Sequence, residues 1–415
     1  DIALFAPSID HINQIYELSG EIKGSVGDLR AKNIHLTFGK NTLIKGDLNF
    51  FGLPKIEETF IDINLGRAKL TPDDFLRYIP QQYRQNLPNT GTIEFKGQYL
   101  GFPTDFVSHG TFTMAAGFIK SDLNFKLEKG KKAQYSGNLV LKDFDLGKVF
   151  NNEKLLQKIY FNGNIKGKGL DAKDAILHLN AKIDTIGIKG YNYSNIYANG
   201  DLADGYFEGE LKTKDPNLAF DGQVNIDIRN HRNKINISAC LDALNLQPLG
   251  LSERDIFISS HIEVDIKEFH IDSLKGFINL KSPKLIIDSD KLELDSVKFL
   301  SFLIGDERTV SLETDGLSAE AKGNFKNSTV LSEFNKLYKE LWLNIQNNQD
   351  SLDLYYSQKQ EEIENFEVAL KINLKDANKF IQPFFPNINL SKGTHLEGHF
   401  ISDKTSILSI NTNVD

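Results

Sequence analysis

Residues able to do chemistry are few in this chain, and they are scattered. His395, Glu397 and His399 alternate along one extended run, so they share a strand face and could offer three ligands to a metal ion. Zinc sites gather ligands from more than one element and orient them through further hydrogen bonds. A solvated polar strand face is therefore the plainer account of this run. The other seven histidines (11, 35, 109, 178, 231, 261, 270) stand singly. Gly167-Lys-Gly169-Leu-Asp-Ala172 has the front of a dinucleotide fingerprint. That motif needs a helix next, yet Leu177, Leu179, Ala181 and Ile183 alternate like a strand, so a turn is the better reading. Cys240 is out of phase with Ile235, Ile237, Ala239 and Leu241, which predicts an outward, inert thiol. Asn-x-Ser/Thr at Asn192, Asn236, Asn327 and Asn389 is what an Asn-rich chain produces by chance. Gly-x-Ser-x-Gly, P-loop and His-Glu-x-x-His motifs do not occur. We read a protein that is not an enzyme, without catalytic residues, metal or cofactor.

The elements that hold these residues announce themselves by alternation. Ile34, Leu36 and Phe38 share a face, and after Gly-Lys-Asn so do Ile44, Gly46, Leu48 and Phe50. The same period carries Leu177, Leu179 and Ile183, then Leu211, then Val224, Ile226 and Ile228. Ile235 and Ile237, Ile262 and Val264, and Ile278 and Leu280 continue it. Lys, Asp, Asn, Glu and Ser stand between, and the turns are short and rich in Asn, Asp, Lys and Gly. The pattern predicts an all-β chain: a meandering antiparallel sheet, wet on one face and apolar on the other.

Composition fits that class. Charged residues at 25% and hydrophobic residues at 40% mark a folded chain, and 29 Phe with 13 Tyr supply bulk for an apolar face. A net charge of -8 speaks against a nucleic-acid surface. The single cysteine excludes an intrachain disulfide. The densest apolar run, Val297 to Gly305, is too short to span a bilayer as a helix. Both ends fall inside patterned sequence, so we expect a piece of a longer protein whose targeting and anchoring segments lie outside it.

The chain also repeats itself. Ile15-Tyr16, Gly20-x-Ile22-Lys23-Gly24 and Ile34-x-Leu36 match Ile159-Tyr160, Gly163-x-Ile165-Lys166-Gly167 and Leu177-x-Leu179. Helix-period segments recur at Pro72 to Gln85, Leu146 to Lys158, Leu246 to Arg254 and Asp376 to Phe385, each followed by an extended run. With the opening copy, repeats begin near residues 1, 72, 145, 246 and 376 of one continuous repetitive body. An insertion at 328–365 holds a predicted amphipathic helix, Thr329 to Ile345, with the stripe Val330, Phe334, Leu337, Leu341 and Ile345. It packs on the sheet as local core or serves as a lid or docking element.

A resemblance attaches to these units. GEIKGSVGDLRAKNIHLTFGKNTLIKGDLNFFGLPKIEETFIDINL from Gly20, LKDFDLGKVF from Leu141 and GNIKGKGLDAKDAILHL from Gly163 resemble the β-rich periplasmic region of the TamB branch of the AsmA-like superfamily, in its Bacteroidetes-type form. The resemblance implies an elongated, curved β-groove, a taco-like rod with a few short helices. It implies an inner-membrane-anchored protein of the Gram-negative envelope, working with an outer-membrane barrel of the Omp85 type. Its implied activity is phospholipid transport between the membranes, with bound phospholipid as ligand. The alternatives are a scaffold or chaperone in outer-membrane protein assembly, and a surface adhesin. On physical grounds, an apolar sheet face must be covered either by closing into a sandwich or by something that fills a trough. The expected lining is Ile34, Leu36, Phe38, Leu48, Phe50, Leu177, Leu179, Ile183, Leu211, Val224, Ile226, Ile228, Ile235, Ile237, Ile262, Val264, Ile278 and Leu280.

Overall fold

A computed structural model describes residues 15–75, 91–169, 175–229, 234–268, 270–329, 366–376, 393–402 and 406–413, with single positions at 332, 342, 343, 349 and 378. The chain divides into two units, Asp1–Asp204 and Gly205–Asp415.

The first unit holds β1 (Tyr16–Ser25), β2 (Asp28–Phe38), β3 (Thr42–Phe51), β4 (Phe60–Leu70), β5 (Ile93–Phe102) and β6 (Asp105–Met114). It continues with β7 (Gly117–Lys126), β8 (Gln134–Asp145), β9 (Leu156–Lys168), β10 (Ile176–Ile188) and β11 (Tyr191–Ala203). Each strand pairs antiparallel with its predecessor, so the unit is an uninterrupted meander. Two short helices, α1 (Pro72–Phe75) and α2 (Leu146–Phe150), follow β4 and β8. Because alternate strands run the same way, both helices leave the sheet at the same edge.

The second unit repeats the plan with β12 (Tyr206–Asp215), β13 (Leu218–Asp227), β14 (Lys234–Asn245), β15 (Ile256–Glu268), β16 (Lys275–Ile287) and β17 (Asp290–Glu293). After these come β18 (Ser296–Ile304), β19 (Glu307–Thr314), β20 (Leu317–Asn324), β21 (Phe366–Leu374), β22 (Thr394–Ser402) and β23 (Ser406–Asn413). All pairings are antiparallel between neighbours, except that the short β17 caps one end of β16 while β18 pairs with the rest of it.

The all-β antiparallel class is therefore as the alternation predicts. Helical content is smaller than the periodicity suggested. The segment from Leu146 is helical only to Phe150, where Asn151 turns left-handed (φ 52), and Leu156 already belongs to β9. Leu246 to Arg254 is a series of turns rather than a helix. Pro248 removes a backbone donor there and Gly250 takes φ +70, so turn chemistry overrides a short apolar pattern. Residues 76–90, most of the 328–365 insertion, and most of Asp376 to Phe385 lie outside the described residues, as does the opening copy before Ile15.

Local devices keep one face apolar. In β2 the register shifts between Ala31 and Ile34, with Asn33 at φ 53 and its N–H donating to Asp47 Oδ1 at 2.8 Å. This bulge puts Ala31 and Ile34, three residues apart, on the same buried face. Gly46 (φ +152) brings β3 so close to β4 that a Cβ would sit 2.2 Å from Asn64 O. Only glycine fits there without a shift of the neighbouring backbone.

Candidate functional site

Strand register turns the alternation into continuous rows. In the first unit one row runs Leu18, Leu36, Ile44, Ala68, Phe95, Phe112, Ile119, Leu141, Phe161, Ile183 and Ile196, one residue from every strand. Beside it run Ile34, Gly46, Leu65, Gly97, Gly110, Ser121, Leu139, Gly163, Ala181 and Ala198. The next row is Ile22, Ala31, Leu48, Ile63, Tyr99, Ser108, Leu123, Gly137, Ile165, Leu179 and Gly200. The last is Gly24, Leu29, Phe50, Ile61, Gly101, Phe106, Phe125, Tyr135, Gly167, Leu177 and Leu202. No charged residue interrupts any of them. The opposite face carries rows such as Asp47, Asn64, Gln98, His109, Asp122, Asn138, Asn164, Asn180 and Asn199.

Side-chain size varies across the apolar face. The small residues Gly110, Ser121, Gly163, Ala181 and Ala198 are buried, while the larger Leu36, Leu48, Phe50 and Ile183 beside them are half-buried. Aromatic rings add a stacked series, Tyr99 on Phe106 at 4.6 Å and Phe106 on Phe125 at 4.9 Å between centroids. Burial pushes the Tyr99 and Tyr135 phenols up. At the edge where α2 emerges, Leu146 and Val149 pack on the buried Ala116, Phe144 and Ile159. Asp145 caps that helix by accepting from the Lys148 N–H at 3.1 Å.

The second unit has its own rows. Phe207, Ile226, Ile235, Ile266, Gly276, Ser301, Val310, Ala321, Leu370, Gly398 and Ile410 form one. Gly209, Val224, Ile237, Val264, Ile278, Phe299, Leu312, Ala319, Ile372, Leu396 and Thr412 form the next. Leu211, Gly222, Ala239, Ile262, Leu280 and Val297 lie beyond it. Phe220, Val224 and Leu241 are the buried centre of a cluster drawn from consecutive strands of this one face.

Sixteen of the eighteen residues expected in the lining stand in these rows, seven in the first unit and nine in the second, while Phe38 pairs with Tyr16 and Thr42 at the end of β2. Ile34, Leu179 and Val224 are buried, whereas Ile228 lies past the end of β13 and is 53% exposed. Phe95, Phe112, Phe161 and Phe299 occupy the same rows without having been singled out; only the pairing register reveals that they belong there.

Among the described residues the chemistry-bearing side chains do not converge. His395 contacts Asn373 and lies 3.3 Å from Glu397, and His399 turns to Glu367 at 2.9 Å. Among the described residues no group of His, Cys, Asp and Glu could hold a metal ion. Cys240 is exposed on the polar face. Gly169 is followed, after residues outside the description, by β10. No helix among the described residues is long and apolar enough to cross a membrane. No protein-family model, curated protein or solved structure matches the chain.

Proposed function

We propose that this chain is a lipid-conducting segment, in which each unit's apolar face forms the lining of a groove for phospholipid acyl chains. The observation that carries this reading is the set of rows crossing the first unit without a single charged residue. An acyl chain of about 16 carbons gains on the order of 10 kcal/mol on leaving water, at about 0.8 kcal/mol per CH₂. Along a lining with no charged break, a chain can slide while keeping most of that gain, so its barrier to movement stays low. Bulges such as that at Asn33 and kinks such as that at Gly46 supply the curvature a groove needs.

The resemblance to the TamB branch supplies the setting. On that resemblance our reading is a periplasmic segment of an inner-membrane-anchored protein of a Gram-negative envelope, delivering phospholipid toward an outer membrane with an Omp85-type barrel. The test is mass spectrometry of lipids extracted from the purified chain. Phospholipid in stoichiometric amount supports the reading; a lipid-free protein that takes up no alkyl probe overturns it.

One observation favours a second reading, a scaffold or chaperone for outer-membrane proteins. Every residue of β1 is exposed, and among the described residues β1 pairs only with β2. Leu18 and Ile22 are 54% and 53% exposed on this edge. Such an edge can accept a client strand by backbone hydrogen bonding. Photocrosslinkers along β1 that capture unfolded outer-membrane protein rather than lipid would favour this function.

A further inference from the structure

Arg308 is a buried cation on the second unit's apolar face. It lies in the row Leu303, Arg308, Gly323, Val368 and Phe400, and it is 2% exposed. Its Nε donates to Phe325 O at 3.2 Å and its Nη2 donates to Asp272 O, both main-chain oxygens. Its Nη1 is buried with no partner. Among the described residues no carboxylate forms an ion pair with it. The Asp272 carboxylate attracts it, but that group's oxygens accept from the Ser328 N–H at 2.8 Å and the Ser328 hydroxyl at 2.7 Å. Burial pushes the guanidinium pKa down, against the weaker pull of Asp272.

A buried charge with neither a direct ion pair nor full hydrogen bonding is costly, and an unpartnered buried donor calls for an explanation. A guanidinium fork suits a phosphate or carboxylate through paired donors. Over it passes a short segment, His270 to Leu274, which further hydrogen bonds hold in place. These are Asn327 Nδ2 to Ile271 O at 2.7 Å, Ser301 Oγ to Leu274 O at 2.8 Å, and the Asp272–Ser328 pair. Water can replace such contacts, so this strap is the way in.

We infer that Arg308 anchors an anion site, which takes the phosphate or carboxylate headgroup of an amphiphile whose tail lies on the adjoining apolar rows. The tail component rests on the lipid-conducting reading; the anion component does not. The site gives the groove a point where a lipid pauses in a defined orientation, with the strap as its gate.

The test is thermal unfolding of the full chain with decyl phosphate or decyl maltoside, each below its micellar concentration, and with inorganic phosphate. Decyl phosphate at about ten times its Kd should raise the wild-type Tm by roughly 2–3 °C more than decyl maltoside does. Arg308→Met should abolish that difference while keeping the maltoside response. Should Arg308→Met not fold, the two decyl headgroups compared on the wild type decide alone. A full response to inorganic phosphate identifies a free anion as the ligand: the anion site stands and the headgroup assignment falls. Equal responses to the two decyl probes overturn the anion site and leave the apolar lining intact. No response to either probe or to phosphate overturns both.

Discussion

The Thr42 hydroxyl donates a 2.9 Å hydrogen bond to Asp74 Oδ2, joining the start of β3 to the short helix α1. The same carboxylate accepts the N–H groups of Lys40 at 2.9 Å and Asn41 at 3.1 Å. The Thr42 hydroxyl oxygen in turn accepts from the Thr71 N–H at 3.2 Å. A side chain at Gly39 would come within 2.2 Å of the Asp74 carboxyl, so the turn is shaped around it. A helix of four residues has little apolar surface to bury, and this polar clasp holds it at the sheet edge.

That clasp predicts an acid-labile contribution to stability. Burial pushes the Asp74 carboxyl up, but the hydrogen bonds from Lys40, Asn41 and Thr42 outweigh it and leave its pKa below the usual carboxylate range. A group depressed in the folded state stabilises fully above its unfolded pKa of about 3.9, and that stability is lost as pH falls through the folded value. Asp74→Asn should cost about 1–3 kcal/mol at neutral pH, and the gap from wild type should narrow toward pH 3. Urea unfolding across this range checks it; a gap that does not change with pH contradicts the assignment.

Lining and core should separate under mutation. Phe220 is 9% exposed at the centre of its cluster, so Phe220→Ala should cost about 3–5 kcal/mol. Leu36 and Ile226 are only half-buried, so Leu36→Gln and Ile226→Gln should cost less, about 1–2 kcal/mol, and still impair lipid binding. Leu179, at 7% exposure, should lose stability as well as binding when charged. Denaturation curves alongside a lipid-uptake assay distinguish the groups.

Glycine at the strand contact should be irreplaceable. Gly46→Ala places a Cβ against Asn64 O in a backbone region that only glycine visits readily, and should cost at least about 2 kcal/mol. Gly130→Ala, at φ +76 with nothing within 4 Å of its Cβ, should cost only about 1 kcal/mol. Equal losses at the two positions would remove the steric argument for the kink.

The two faces should also differ in thiol access. Native Cys240 is exposed and should react freely with a water-soluble thiol reagent. In a Cys240→Ser background, Ile237→Cys moves the thiol to the half-buried apolar face of the same strand. It should react more slowly and be protected further by decyl maltoside. Equal rates and equal lack of protection would mean that the apolar face takes no alkyl chain.

Much of this architecture was legible in the alternation itself. Ile34-x-Leu36-x-Phe38 and Ile235-x-Ile237 name their face directly, because a strand's period of two leaves only one choice of inward side. The metal-like His395-Glu397-His399 run was readable as a polar face for the same reason. Bulges were not legible: Ala31 joins Ile34 on the buried face only because Asn33 adopts a left-handed conformation. The place of Phe95 and Phe161 in one row depends on pairings across many strands, which no local pattern records. Leu246 to Arg254 misled because a short apolar pattern outweighed the turn signals of Pro248 and Gly250. Arg308 gave no signal at all, since one arginine in a β-run reads as a solvent-facing residue until register turns it inward.

The central claim is that one sheet face carries lipid and the other does not, and adjacent residues of β2 test it most directly. Leu36 lies in the first apolar row, and His35 points to the polar face one residue away. A photoreactive phenylalanine analogue placed at each position in turn, in cells labelled with radioactive phospholipid, should crosslink lipid from position 36 and not from position 35. Equal crosslinking from both positions, or none from position 36 in a folded protein, would contradict the account.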